Sequence, residues 1–213
     1  ELEQTPDNAN YYMRVIAHTS KNITQEQAYE LINNNNIEKH LTKFECPSIY
    51  SFRDYIVPDL KEIITNLNKE ITMLTGDKLS SAIQVGKVTG IIDKYKTINC
   101  VEDLSNIKNN DNIIISGNLL ESLVANNKLP NINNNKIIYR ASPNTKQLYV
   151  SYLQDKLNKQ VVMVGDGMND ISAIMKADIG VAVVGENKLT QDIADLVIDS
   201  WAKIPKVLDS FQK

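Results

Sequence analysis

Cysteine is scarce: Cys46 and Cys100 are the only two in the chain. They are too few and too far apart for a disulfide framework or a zinc site, and they fit a reducing compartment. No apolar run approaches the roughly 20 residues that a membrane-spanning helix requires. The opening stretch, ELEQTPDNAN, is polar and acidic and lacks the layout of a secretory signal. It also lacks an initiator methionine, so an excised piece of a longer protein is expected. Excess positive charge is missing too: 23 Lys and Arg stand against 26 Asp and Glu, for a net charge of −3. That gives no electrostatic ground for binding nucleic acid or an anionic membrane surface. No internal repeat is found.

What is present is a chain of 213 residues, 42% apolar, enough for one sizeable α/β domain or a domain and a fragment. Asparagine runs at 33–36 and 133–135 read as loops and compositional bias. The organising stretch is 160–184, QVVMVGDGMNDISAIMKADIGVAVV. An apolar run from Val161 to Val164 stops at Gly165-Asp166-Gly167. Asn169 and Asp170 follow, then a helical stretch from Ile171 to Ala177, then a second apolar run from Ile179 to Val184. This is strand, turn, helix, strand, the unit of a parallel α/β sheet. The turn falls at the C-terminal end of a strand, where open α/β sheets place their ligands. Asp166 and Asp170 put two hard oxygen ligands there, which suits Mg²⁺ better than a soft metal.

Elsewhere strands and helices alternate. Strands are expected at Tyr12 to Ala17, Ser48 to Phe52, Ile71 to Leu74, Ile113 to Ile115, Lys136 to Tyr139 and Asp195 to Ile198. Helices are expected at Thr24 to Ile32, from Pro58 through Leu67, at Ala82 to Val88, Leu119 to Ala125, Asn144 to Leu157, Leu189 to Ala194 and Trp201 to Phe211. Leu41, Phe44 and Cys46 lead towards the sheet. The alternation predicts a doubly wound parallel sheet starting near residue 47.

Three strand ends then carry polar groups: Thr75-Gly76-Asp77, Arg140 with Lys146, and Asp166 with Asn169 and Asp170. In one parallel sheet they would converge on one edge. A hydroxyl, a lysine and a carboxylate pair holding Mg²⁺ are what phosphoryl transfer requires. Each residue also has a plainer reading. Thr75 can cap the next helix, Asp77 can be a first-turn acid favoured by the helix dipole, and Lys146 and Arg140 can be solvated.

In this order the motifs resemble the haloacid-dehalogenase superfamily, and within it the phosphorylation domain of P-type ATPases. There the second motif is T-G-D, the third centres on a lysine and the fourth is G-D-G-x-N-D. Here they stand as Thr75-Gly76-Asp77, Lys146 and Gly165 to Asp170, and the resemblance covers about residues 37 to 200. It implies a haloacid-dehalogenase-like Rossmannoid fold, a phosphorylation cycle on ATP, and Mg²⁺ held by Asp166 and Asp170. Thr75 would hold the transferred phosphoryl group, Lys146 would neutralise it, and Asn169 would touch it. Gly76, Asp77 and Arg140 would line the nucleotide side. The parent would be a membrane transporter with this region on its cytosolic face, with an accessory subunit as a possible partner. Several spellings look like phospholipid flippases: IEKHL (37–41), LTGDKLSSAIQVG (74–86), SGNLL (116–120), RASPNTK (140–146), NDISAI (169–174) and GVAVVGE (180–186). DYIVPDL (54–60), MVGDG and ADLVI lean towards cation or heavy-metal pumps, and Val57 replaces the arginine usual in the first of these. A flippase-like module on a protist guanylyl cyclase is a further alternative.

The nucleophile of such a pump, in D-K-T-G-T, is absent. Asp93-Lys94-Tyr95-Lys96-Thr97 echoes it but follows the second motif and reads as a linker. Asp54 follows an expected strand and would serve a free-standing phosphatase, but Ile56 stands where a general acid is needed. In these pumps the nucleophile precedes a nucleotide-binding insertion. Residues 1–47 are therefore expected to be the tail of that insertion and 48–213 the phosphorylation domain. The sheet is expected to be incomplete at its first strand, with an exposed apolar edge.

Overall fold

The isoleucines of residues 113–115 set the centre of the fold, because strand geometry sends alternate side chains to opposite faces. The computed structural model describes residues 11–20, 24, 45–185 and 187–210. The helix expected at Thr24 to Ile32 and the lead-in at Leu41 and Phe44 lie outside the described residues, apart from Thr24 itself. Contacts divide the chain into two units. The smaller, Tyr11–Tyr55, holds β1 (Tyr11–Ser20) and β2 (Glu45–Tyr55), an antiparallel pair with a register irregularity between His18 and Ser20. Asp54 lies inside β2, opposite Tyr12, rather than after a strand.

The larger unit carries two parallel sheets. One has the order β3-β6-β5-β4, from β3 (Thr72–Leu74), β4 (Lys96–Ile98), β5 (Ile113–Ser116) and β6 (Lys136–Tyr139). The other has the order β7-β8-β9, from β7 (Val162–Gly165), β8 (Ile179–Val183) and β9 (Leu196–Ile198). The helices are α1 (Leu60–Asn66), α2 (Leu79–Val88), α3 (Gly117–Ala125), α4 (Pro143–Asp155), α5 (Ile171–Lys176), α6 (Lys188–Ile193) and α7 (Ile204–Ser210).

On one face of the first sheet, Ile113, Ile115 and Ile138 pack with Leu120 and Leu123 of α3 and Tyr149 of α4. On the other, Ile114 and Ile137 pack with Ala82 of α2, and Ile64 of α1 lies against them. Each fully buried isoleucine contributes about 1.5–3 kcal/mol. The second sheet repeats the pattern: Met163 joins Val150 of α4 and Ile174 of α5, while Val162 and Val164 turn to Ile204 and Val207 of α7. Helices on both faces of parallel strands make this a doubly wound α/β fold.

The incomplete sheet anticipated from the missing motif is visible in the pairing. Among the described residues β3 pairs only with β6, and β7 only with β8. Their other edges border one cavity of about 810 Å³. Ile63 and Ile64 of α1 line one side of it, with Trp201 and Leu208; Tyr149 and Val150 of α4 also line it. Charge pairs join the two half-sheets near opposite ends of the strands. Glu70, just before β3, takes Lys159, just before β7, at 2.5 Å. Lys146 on α4 takes Asp170, just after β7, at 2.7 Å.

Some expectations need correction. β4 runs through Lys96 and Thr97, so the D-K-Y-K-T echo enters a strand rather than a linker. That strand is the edge furthest from β3, so the echo lies far from the T-G-D turn. Pro58 does not open α1; Asp59 is its N-cap, with a left-handed φ of 62°. The closing helix begins as a 3-10 turn, Trp201–Lys203, before α7.

Candidate functional site

The T-G-D turn and the start of α4 are stitched together by backbone. Thr75 N–H donates to Ile138 O at 3.0 Å, Ala141 N–H to Thr75 O at 2.8 Å, and Arg140 N–H to Asp77 O at 3.0 Å. Parallel pairing of β3 with β6 puts these turns side by side. Thr75 does not cap a helix: its Oγ1 accepts from Asp77 N–H at 3.1 Å, and the N-cap of α2 is Lys78. Its hydroxyl proton has no acceptor among the described residues. Asp77 precedes that cap and is not in the first turn of the helix.

Lys146 is not a solvated helix residue. It is 7% exposed, and its Nζ lies 2.7 Å from Oδ1 of Asp170, itself 9% exposed. Burying a charge is costly unless it is paired, so each of these residues accounts for the other. The helix that carries Lys146 has a firm start: Ser142 is the N-cap of α4, Pro143 its first residue, and Thr145 completes a capping box.

Asp170 reaches Lys146 because Gly165 has no side chain. A Cβ at Gly165 would sit 2.6 Å from Cβ of Asp170 and 2.9 Å from its Oδ2, closer than packed atoms allow. The second carboxylate oxygen of Asp170 accepts from Gly167 N–H at 3.4 Å. Thr190 of α6, fully buried, donates its hydroxyl to Gly167 O at 3.2 Å and steadies the turn. The motifs gave no hint of Thr190; only the Asn187 cap three residues before it, whose side chain accepts from Thr190 N–H, could have pointed there.

Thr75, Gly76, Lys146, Asp166 and Asp170 therefore line one cavity, the gap between β3 and β7. Asp166 is exposed, and its carboxylate has no partner among the described residues. Three of the expected residues do not line the cavity. Asp77 and Arg140 stand beside it through their backbones, Arg140 exposed and with a φ of 52°. Asn169 is exposed on the 3-10 turn Met168–Asp170. Among the described residues no group of three or more His, Cys, Asp or Glu side chains gathers as a metal cage. A two-carboxylate set fits Mg²⁺, which keeps several waters and takes phosphate oxygens alongside one or two protein carboxylates. Tyr149, in the cavity wall, has its phenol pushed well above the usual range by burial. At the end of the strands away from the motif turns, burial pushes the Lys136 ammonium down, opposed by its pairing with Glu70.

The family model of the haloacid dehalogenase-like hydrolases matches residues 1–178. The chain is 29% identical over 160 residues to the P-type sodium-transporting ATPase4 of Plasmodium falciparum, covering 71% of this chain and 12% of that protein. It is 26% identical to a plasma membrane-type calcium-transporting ATPase 3 of Oryza sativa, covering 78% and 15%. It is 24% identical to a probable phospholipid-transporting ATPase IIB of Danio rerio, covering 97% and 22%. The chain thus spans under a quarter of the length of these relatives. Among the described residues no helix is long and apolar enough to cross a membrane. The chain belongs to the haloacid dehalogenase-like hydrolases, as a domain of the P-type ATPase kind.

Proposed function

We propose that this domain is the phosphoryl-binding half of an ATP-driven transporter that works through an aspartyl phosphate formed on a residue outside this chain. The observation that carries the reading is the gap itself: it is bordered by two strand edges that are unpaired among the described residues, and Thr75, Lys146, Asp166 and Asp170 stand around it. A parallel strand filling the gap would deliver its C-terminal residue to the rim where those four side chains meet. A carboxylate there would attack the γ-phosphorus of ATP, with ADP leaving, and water would later release inorganic phosphate.

Mg²⁺ would be held by Asp166 and Asp170 and would neutralise phosphate charge. Thr75 would donate its free hydroxyl proton to a phosphoryl oxygen. Lys146, whose Nζ keeps protons beyond the one given to Asp170, would offset the charge spreading in the transition state. Gly76, Asp77, Arg140 and Asn169 would contact the nucleotide or phosphate from beside the gap. Residues 1–47 would be the end of a nucleotide-binding insertion and 48–213 the phosphorylation domain, on the cytosolic face of the parent. Phospholipid is the transported species favoured by the flippase-like spellings and by the zebrafish relative, which aligns with 97% of the chain; the sodium and calcium pumps support a cation as the second reading.

The test is turnover by the purified chain. Weak Mg²⁺ binding and no ATP hydrolysis are expected. Robust hydrolysis abolished by Asp54→Ala would overturn the proposal in favour of a free-standing phosphatase.

A further inference from the structure

Glu121 lies on α3, off the motifs, yet its carboxylate is tied to the helix that carries Lys146. Its Oε1 accepts a hydrogen bond from Thr145 Oγ1, and the Ser142 hydroxyl lies 3.4 Å from the same oxygen. These two hydroxyls are the capping box of α4. Ser142 Oγ accepts from Thr145 N–H at 3.0 Å, and Thr145 Oγ1 accepts from Ser142 N–H at 3.1 Å. The box thus uses the hydroxyl oxygens as acceptors; the two oxygens lie 2.9 Å apart, so one hydroxyl can donate to the other, and the remaining proton still needs an acceptor of its own. Thr145 is 1% exposed, so water cannot stand in for one. A carboxylate accepts such protons more strongly than a neutral oxygen would, and its charge is favourable beside a helix N-terminus.

The same helix presses on the turn before α4. A Cβ at Gly117 would sit 2.7 Å from Arg140 O and 3.2 Å from Ala141 Cα. The first turns of α3 therefore hold both the end of β6 and the start of α4. Lys146 follows Thr145 directly and must reach across to Asp170 beyond β7. Small errors in the placement of that first turn become large errors at Nζ.

We propose that Glu121 is a positioning residue for Lys146, setting the first turn of α4 so that the ammonium meets Asp170. The importance of that position for phosphate rests on the reading given above; the position itself does not.

The test is ¹⁵N NMR of the lysine ammonium groups in the full chain. Lys146 is assigned by the signal lost in Lys146→Arg. Lys136, buried and paired with Glu70, is the internal control. Losing one charge-assisted hydrogen bond should speed proton exchange at Lys146 roughly tenfold or more in Glu121→Ala, leaving Lys136 unchanged. Glu121→Gln, which keeps an oxygen acceptor but not the charge, should fall between wild type and Glu121→Ala. Should Glu121→Ala not fold, Glu121→Asp retracts the acceptor by one methylene and should loosen Lys146 alone. Equal changes at Lys146 and Lys136, or none at Lys146, would overturn the proposal. Affinity for inorganic phosphate with Mg²⁺ is read in parallel. If Lys146 loosens while that affinity holds, the positioning stands and the phosphate role of Lys146 falls.

Discussion

Lys146 and Asp170, 24 residues apart in sequence, form a buried 2.7 Å ion pair that joins the two half-sheets. Removing one partner strands the other as an uncompensated buried charge. Lys146→Met is expected to cost about 3–5 kcal/mol, read as a lowered urea midpoint. Adding Asp170→Asn to that variant should recover part of the loss. A double variant whose cost equals the sum of the single costs would show that the pair is not coupled.

Gly165 makes room for the Asp170 carboxylate. Gly165→Ala places a Cβ where Asp170 already stands, so overpacking should cost about 1–3 kcal/mol. Gly76, by contrast, has only Ala141 O within reach of a Cβ, at 3.9 Å. Gly76→Ala should therefore be tolerated for stability. Equal losses of thermal midpoint in the two variants would contradict the packing described.

The gap between β3 and β7 invites a strand. A synthetic peptide of about six alternating apolar residues ending in aspartate, matched to the usual strand length, should stabilise the domain. At a hundredfold over its Kd this amounts to about 2.7 kcal/mol, a rise of about 5–10 °C in Tm for a domain of this size. The same peptide with a central proline, which has no N–H to donate to either edge, should do nothing. Equal effects from the two peptides would mean that neither joins the sheet.

Much of this fold could be read from period and punctuation. Ile113 to Ile115, Lys136 to Tyr139 and Ile179 to Val183 are apolar runs bounded by turn residues, and they are strands. The missing D-K-T-G-T foretold the open edges. β4 was not legible because Lys96-Thr97-Ile98 is short, with a lysine in the place of an apolar residue, and is fixed by pairing with Ile113–Ile115. Nor was the burial of Lys146: a lysine four residues into a polar helix looks solvated until its partner, brought in by another strand, is known. Glu121 and Thr190 act through tertiary contacts with the motifs and carry no spacing signal of their own. Asn169 and Arg140 show the reverse case, since their motif positions are clear while their side chains stand outside the cavity.

Tyr149 should shape the alkaline limb of stability. Burial raises its folded pKa above the ordinary tyrosine value of 10.0, so above that pH the unfolded chain loses its proton first. The stabilisation it contributes is full below about pH 10 and is lost as pH climbs towards the folded pKa, by up to about 1.4 kcal/mol per pH unit. Tyr149→Phe should flatten the fall measured by chemical denaturation between about pH 10 and 11. Parallel curves for the two proteins would mean that the phenol does not stay protonated in the fold.

The most direct measurement is amide NMR of the chain titrated with inorganic phosphate in the presence and absence of Mg²⁺. Shifts should gather on Thr75 to Asp77, Lys146 and Gly165 to Asp170, need Mg²⁺ for full size, and vanish in Asp166→Asn. Shifts scattered over the surface, or a response at the three turns that survives both Mg²⁺ omission and Asp166→Asn, would contradict a magnesium-bound phosphate held at this rim.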